Sequence, residues 1–272
     1  MKVFIGACLT AAIAVYFLFA WNVISSQEES LFQGASLSEE RINQVNEHFH
    51  NTEEINFETE DGNILHGWLQ HSDKNSPSPL VIYFGGNAEE ASTALESNQY
   101  PDDWSVLFMN YRGYGKSTGT PGEDNLYKDG TALFDYVSSR EDINSHKIVA
   151  AGRSMGTSAA SYVSKQRPVA ATILISPYDS RTRLQGERHP LFPVERFIRH
   201  PFEVSEMAET ISSPLLGITA DEDQVIPAEH SHKTFSRWDG KTRIVTISGE
   251  GHNTLQGDPV YWQEITQFLN DL

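Results

Sequence analysis

The sequence predicts an α/β fold, a mostly parallel twisted sheet with helices on both faces, and three observations predict it. Short, near-continuous Val/Ile/Leu runs alternate with helical stretches, the pattern of strands buried on both faces and joined by helical crossovers. A serine bracketed by glycines, Gly152-Arg153-Ser154-Met155-Gly156, closes one such run and opens a small-residue helical stretch. Ahead of the first run, two short strand patterns flank a cluster of turn residues, so an antiparallel hairpin leads the sheet.

Along the chain, the segment from Val3 to Val23 holds only Thr10 and the amphipathic Tyr16 and Trp21 as polar side chains before Asn22. That length suffices for a hydrocarbon layer of roughly 30 Å, so residues 1–24 are expected to form an N-terminal transmembrane helix that anchors the protein to the membrane. A cleaved signal peptide is the alternative, but the apolar run outlasts the usual leader core and Leu18 and Ala20 make a poor cleavage site. Lys2 precedes the segment while Glu28, Glu29, Glu39 and Glu40 follow it, which places the rest of the chain on the extracytoplasmic (periplasmic) side. Residues 25–52, rich in Ser, Gln, Glu and Asn, read as a stem with one weakly amphipathic helix built on Ile42, Val45 and Phe49.

Residues 53–272 form the globular domain. Ile55 to Thr59 alternate apolar and polar, Asp61-Gly62-Asn63 turn the chain, and Ile64 to Leu69 resume a strand. Strands then follow at Leu80–Phe84, Val106–Met109, Ile148–Ala151, Ile173–Ile175, Leu215–Thr219 and Ile244–Ile247. Between the fourth and fifth of these, residues 177–212 read as a small cap insertion.

Composition narrows the function. The 272 residues, 39% hydrophobic and 21% charged, supply one substantial core, and a net charge of -17 repels phosphate backbones, which excludes nucleic acid as a partner. Cys8 is the only cysteine, so neither a disulfide framework nor a thiolate metal site is available.

In a parallel sheet, functional groups gather at the carboxyl ends of the strands. Ser154 stands at one end, on a turn so sharp that its flanking glycines must approach neighbouring backbone. Asp221, Glu222 and Asp223 follow Thr219, and Gly251-His252-Asn253 follows the last strand. A serine hydroxyl is a poor nucleophile until a neutral imidazole takes its proton, which assigns His252 as base. A carboxylate from the loop after Thr219 orients the imidazole, with Asp223 and Asp221 both candidates. The N–H of Met155 is expected to bind the developing oxyanion, and the second donor to come from Gly85-Gly86-Asn87-Ala88, at Asn87. Each residue also has a plain structural reading: Ser154 and Asp223 as helix caps, His252 as one of ten histidines. Their joint placement at strand ends, in the order serine, acid, histidine, favours catalysis.

The fragments Gly85-Gly-Asn-Ala, Tyr111-Arg-Gly-Tyr-Gly-Lys-Ser, Gly152-Arg-Ser-Met-Gly-Thr, Asp223-Gln-Val-Ile-Pro and Gly251-His-Asn occur in one order, and with them the chain resembles the α/β-hydrolase superfamily. Asp61 to Trp68 and Tyr111 to Glu123 are similar to a membrane-associated subgroup that includes uncharacterised bacterial members and eukaryotic protein depalmitoylases. The resemblance spans about residues 53 to 272 and implies Ser154, Asp223 and His252 as a triad that hydrolyses esters or thioesters through an acyl-enzyme, with no metal or cofactor. The chain departs from the subgroup's pattern twice. Gly85 stands where histidine is common, which implies a looser oxyanion loop, and Ala220 replaces a glycine three residues before the acid.

Other motifs carry less. Gly115-Lys116-Ser117 looks like the end of a phosphate-binding loop, but Asn110 replaces its first glycine and Thr118-Gly-Thr-Pro-Gly blocks the helix that must follow. His230 and His232 form an H-x-H pair without ligand-spaced carboxylates and read as exposed surface. In the cap, Arg181, Arg183, Arg188, Arg196 and Arg199 either face an anionic substrate or membrane or pair with nearby carboxylates, the second being favoured. The cap aromatics line an acyl pocket or pack beneath the cap. The expected protein is thus a membrane-anchored serine hydrolase acting on a small-molecule or acylated substrate, with a peptidase or amidase, or a catalytically silent binding protein, as alternatives.

Overall fold

The computed structural model describes all residues except Met1 and Asn75, and omits the side chains of Lys2, Val3, Ile5 to Thr10 and Ala12. In chain order its elements are α1 (Lys2–Ser25), α2 (Gln27–Leu31), α3 (Glu39–His48), β1 (Thr52–Glu58), β2 (Ile64–Gln70), β3 (Ser78–Phe84), α4 (Ala91–Glu96), β4 (Ser105–Met109), α5 (Glu123–Ser138) and β5 (Ile143–Arg153). They continue as α6 (Gly156–Gln166), β6 (Ala171–Ile175), α7 (Arg181–Arg188), α8 (Val204–Ala208), β7 (Leu215–Ala220), α9 (Ala228–Ser236), β8 (Thr242–Ile247) and α10 (Pro259–Asn270).

The eight strands make one sheet in the order β1-β2-β4-β3-β5-β6-β7-β8. The leading hairpin is antiparallel, with Ile55 opposite Gly67, and β2 joins β4 antiparallel, while every pairing from β4 through β8 is parallel. The apolar runs behave as strands buried on both faces must: successive residues feed opposite layers. Leu80, Ile82 and Phe84 of β3 join one apolar cluster with Leu126, Leu133 and Val163 from α5 and α6. Val81 and Tyr83 join the other, with Leu95 of α4 and Ile265 and Leu269 of α10. Burying each such side chain contributes about 1.5–3 kcal/mol, so the two layers fix the register that aligns the strand ends.

Segment 25–52 lies against this body. Ile42 and Val45 of α3 are buried beside Trp68 and Leu95, and the buried Gln27 of α2 donates to the Phe197 carbonyl at 3.0 Å. The end of α1 meets the cap, where Ala20 packs with Phe192 and Val194.

The expected transmembrane helix is not supported: among the described residues, no helix is long and apolar enough to cross a membrane. Much of the segment on which that expectation rested, including Cys8, lies outside the described side chains.

Between β6 and β7 the chain forms α7, a short 3-10 turn at Val194–Arg196, and α8. Here the phenylalanines serve packing: Phe192 stacks on Phe197 with ring centroids 5.7 Å apart, and Phe202 is buried against Tyr127 and Tyr178.

Candidate active site

Backbone crowding at the end of β5 explains why glycines bracket the serine. A Cβ on Gly152 would sit 2.3 Å from the Gly156 carbonyl oxygen, and one on Gly156 would sit 2.0 Å from that of Phe84. Only glycine lets α6 start this close to β3. Between them Ser154 adopts a left-handed φ of 52°, a conformation that costs an L-residue on the order of 1 kcal/mol. Bonds hold it there: the Ser154 N–H donates to the Ile175 carbonyl at 2.9 Å, and its own carbonyl accepts from Thr157 N–H at 3.0 Å.

Two loops bring partners to this hydroxyl. His252, on the loop after β8, places Nε2 3.0 Å from Ser154 Oγ and Nδ1 2.7 Å from Asp223 Oδ2. The second carboxylate oxygen of Asp223 accepts the backbone N–H groups of Val225 at 2.9 Å and Ile226 at 2.7 Å. Burial pushes the Asp223 pKa up, but the bonds from His252 and Ile226 outweigh it and hold the carboxyl below its ordinary value. It is therefore ionised wherever His252 would need it.

Asp221, the other candidate acid, has a different occupation. It is exposed, and it accepts from Ser248 Oγ and from the Gly249 N–H, each at 2.7 Å. Those bonds close the turn after β8, where Gly249 has a φ of 76°. The backbone N–H of Glu222 donates to the Glu250 carbonyl at 3.1 Å, so the acid loop and the histidine loop are tied together.

Ser154, His252, Met155 and Asn87 all line one cleft of about 910 Å³, to which α1, α2 and α7 also contribute lining residues. The loop carrying Asn87 is held from several directions. Tyr111 Oη donates to the Gly85 carbonyl at 2.8 Å, the Gly86 N–H to Glu89 Oε2 at 2.8 Å, and Tyr114 Oη to the Asn87 carbonyl at 2.6 Å. Gln33 N–H adds a fourth bond to the Asn87 carbonyl at 3.1 Å. The looser loop expected from Gly85 is accordingly not what the structure has. Among the described residues, neither the Met155 N–H nor the Asn87 N–H donates to a protein acceptor, which leaves both for a ligand.

A family model described as serine aminopeptidase, S33, matches residues 76–192. An uncharacterised protein of Mycobacterium tuberculosis is 30% identical over 218 residues, covering 79% of this chain and 78% of that one. The α/β hydrolase domain-containing protein WAV2 of Arabidopsis thaliana is 27% identical over 240 residues, covering 80% and 78%. The chain belongs to the α/β-hydrolase superfamily. An acetyl xylan esterase from Paenibacillus sp. R4 shares the fold with a TM-score of 0.66 at 18% identity, covering 81% of this chain and 83% of that one.

Several residues of this hydrolase were not legible as functional. Arg153, the second residue of the serine motif, donates through Nη2 to the His252 carbonyl and to Asn253 Oδ1, both at 3.0 Å. Its Nη1 lies 3.6 Å from Glu89 Oε2, the same oxygen that accepts the Gly86 N–H. One guanidinium thus links the histidine loop to the loop of Asn87. An arginine inside the motif together with an asparagine just after the histidine was the only available signal.

Arg112 accounts for the Tyr111-Arg-Gly-Tyr-Gly segment. It forms paired bonds to Asp129 on α5 and to Asp61 in the leading hairpin, at 2.6–3.0 Å. Lys116 pairs with Glu39 at 2.6 Å, so the Gly115-Lys116-Ser117 stretch is structural.

The histidine pair needs a correction. Only His232 is exposed; His230 is fully buried, with Nδ1 2.6 Å from Asp179 Oδ1 and Nε2 3.0 Å from Glu187 Oε2. Two residues apart on a helix point to different faces, so the inward and outward histidines do not act together. Among the described residues, Glu187, Glu229 and His230 bring possible ligand atoms within 4.8 Å of one another, but His230 already spends both nitrogens on carboxylates.

The cap arginines divide. Arg183 pairs with Asp179, Glu187 and Glu229, and Arg199 with Glu28. Arg181 and Arg188 instead line the cleft.

Proposed function

We propose that this α/β hydrolase cleaves carboxylic ester or thioester bonds through an acyl-enzyme on Ser154, with His252 as general base and acid and Asp223 as the residue that orients it. The continuous relay from Asp223 to His252 to Ser154, at 2.7 Å and 3.0 Å, carries the reading. As Ser154 Oγ attacks the carbonyl carbon, its proton passes to His252 Nε2, and the Nδ1–H bond to Asp223 stabilises the imidazolium. Negative charge on the carbonyl oxygen meets the free N–H groups of Met155 and Asn87. Collapse of the adduct expels the alcohol or thiol, protonated by His252, and water repeats the sequence to release the acid. Each step uses groups of this chain.

An aminopeptidase reading is less well supported by the cleft. Capture of a free amino terminus requires an available carboxylate, and Glu89, which lines the cleft, is engaged by the Gly86 N–H, Tyr83 Oη and Arg153. We also propose that the protein works at a lipid surface, on the strength of the exposed Phe4, Val15, Phe17, Leu18 and Trp21 of α1. Recovery of the full chain wholly in the soluble fraction of cells would remove that part.

A fluorophosphonate probe tests the activated serine. The wild-type chain should label and Ser154→Ala should not, and p-nitrophenyl esters should be turned over while aminoacyl anilides are not. Absence of labelling in the folded wild type would instead favour a silent binding protein.

A further inference from the structure

Arg181 is 6% exposed and makes no ion pair among the described residues. A guanidinium carries five N–H donors, and the one side-chain bond Arg181 makes among the described residues is a long one, from Nη1 to the His200 carbonyl at 3.4 Å. Glu123, the carboxylate whose field it feels, is bonded to the Phe202 N–H and Tyr127 Oη instead. A buried cation left this way is unfavourable unless something else meets it. Arg188, about two turns further along α7, is exposed, and among the described residues its guanidinium reaches only the Val225 carbonyl.

Both arginines line the cleft that holds Ser154 and His252. Among the described residues, the charges on that cleft wall are Arg153, Arg181 and Arg188 against a single carboxylate, Glu89, which is already bonded as described. A chain of net charge -17 has built a local cationic wall beside its nucleophile. The protein's overall field repels anions, so selection of an anion here has to come from these two side chains at short range.

We infer that Arg181 and Arg188 form an anion subsite, and that the substrate is an ester or thioester bearing a carboxylate or phosphate in addition to the bond that is cut. Arg181 binds this group at depth and Arg188 meets it at the rim. The inference rests on the hydrolase reading for the bond cut, and on the arginines alone for the anion.

The test compares three p-nitrophenyl esters of matched acyl length: the neutral hexanoate, the mono-adipate with a terminal carboxylate, and the phosphonooxyhexanoate. The ratio of kcat/KM for each anionic ester over the neutral one should exceed unity in the full-length wild type. It should fall roughly 10- to 100-fold in Arg181→Gln, the worth of a charge-assisted hydrogen bond. Arg188→Gln, on an exposed side chain, should lower the ratio less, and Arg181→Lys should restore part of it. The larger ratio of the two anionic esters tells carboxylate from phosphate.

A ratio near unity in the wild type, or one unchanged in both glutamine variants, overturns the subsite. Calorimetry of monomethyl adipate and dimethyl adipate binding to Ser154→Ala reads the same preference without turnover. Preferred binding of the monoanion there, with no hydrolysis by the wild type, would sink the hydrolase reading and leave the subsite standing. Equal binding would sink the subsite alone.

Discussion

Replacing Asp223 by asparagine is the sharpest perturbation this site offers, because the surrounding bonds dictate which way the new amide must face. Asp223 presents one oxygen to the Val225 and Ile226 N–H groups and the other to His252 Nδ1. Two backbone donors need an acceptor, so the asparagine carbonyl has to take their side and its NH2 has to face the imidazole. His252 Nδ1 then becomes an acceptor, and the ring proton moves to Nε2, the nitrogen that lies 3.0 Å from Ser154 Oγ. A protonated Nε2 cannot receive the serine proton. Turnover should fall roughly 10³- to 10⁴-fold, the scale of a wrong-tautomer triad, equivalent to about 4–5 kcal/mol of barrier.

Asp221→Asn is the internal control. Its carboxylate serves the turn at Ser248 and Gly249, while His252 Nδ1 is bonded to Asp223, so kcat should change by no more than about threefold, as for a surface bond. The assay is steady-state hydrolysis of a p-nitrophenyl ester by both variants, with thermal melts to show that each is folded. A folded Asp223→Asn protein retaining a tenth of wild-type kcat, or an Asp221→Asn protein more impaired than it, would refute the assignment of the acid.

Further perturbations follow from the structure. Gly156→Ala places a Cβ 2.0 Å from the Phe84 carbonyl oxygen and should lose more than about 4 kcal/mol in denaturant unfolding. Gly62→Ala, with a φ of 78° and open space around its Cβ, should lose only about 1 kcal/mol. Arg153→Met removes the bonds to His252 and Asn253, so kcat should drop about 10- to 100-fold through misplacement of the imidazole. KM should move little, and Arg153→Lys should recover part of the rate; an unaltered kcat would make the link ornamental. Asp179 is buried, which pushes its pKa up, but bonds from His230, Lys233, the Ser180 N–H and Arg183 hold it well below the carboxylate range. A depressed folded pKa means that its stabilising effect is complete above the unfolded value of 3.8 and is lost as pH falls below it. Asp179→Asn should therefore melt lower than wild type near neutral pH and show a flatter loss of Tm between about pH 4 and pH 2.

The strands and the relay were legible for physical reasons that the rest of the molecule lacks. A strand buried on both faces cannot hide: Ile148 to Ala151 must be apolar at every position, because neighbours alternate between two packed layers. The serine motif is equally constrained, since both of its flanking glycines touch backbone. Asp223 and Asp221 could not be separated from composition, because both are loop acids that accept backbone N–H groups, and only the direction of the loop assigns one to His252. His230 looked exposed since its helix carries several polar side chains, and its burial follows from a partner, Asp179, that lies 51 residues away. Burial of Ile42 and Val45 likewise reflects docking against Trp68, which a periodic pattern of three apolar residues cannot foretell.

The loop of Asn87 shows how a departure from a family pattern can be absorbed. Substituting glycine for a side chain at position 85 ought to free the backbone by entropy alone. Here the glycine instead makes room: a Cβ at Gly85 would lie 3.2 Å from Glu89 Oε2 and 3.3 Å from its Cβ, so any larger residue would press on Glu89. Glu89 needs that space, since its carboxylate takes the Gly86 N–H and faces Arg153 at the same time. Arg153 in turn holds the carbonyl of His252. The loop of Asn87 and the loop of His252 are thereby tied by one carboxylate–guanidinium contact, and the order missing from position 85 is supplied by the Glu89 and Arg153 side chains.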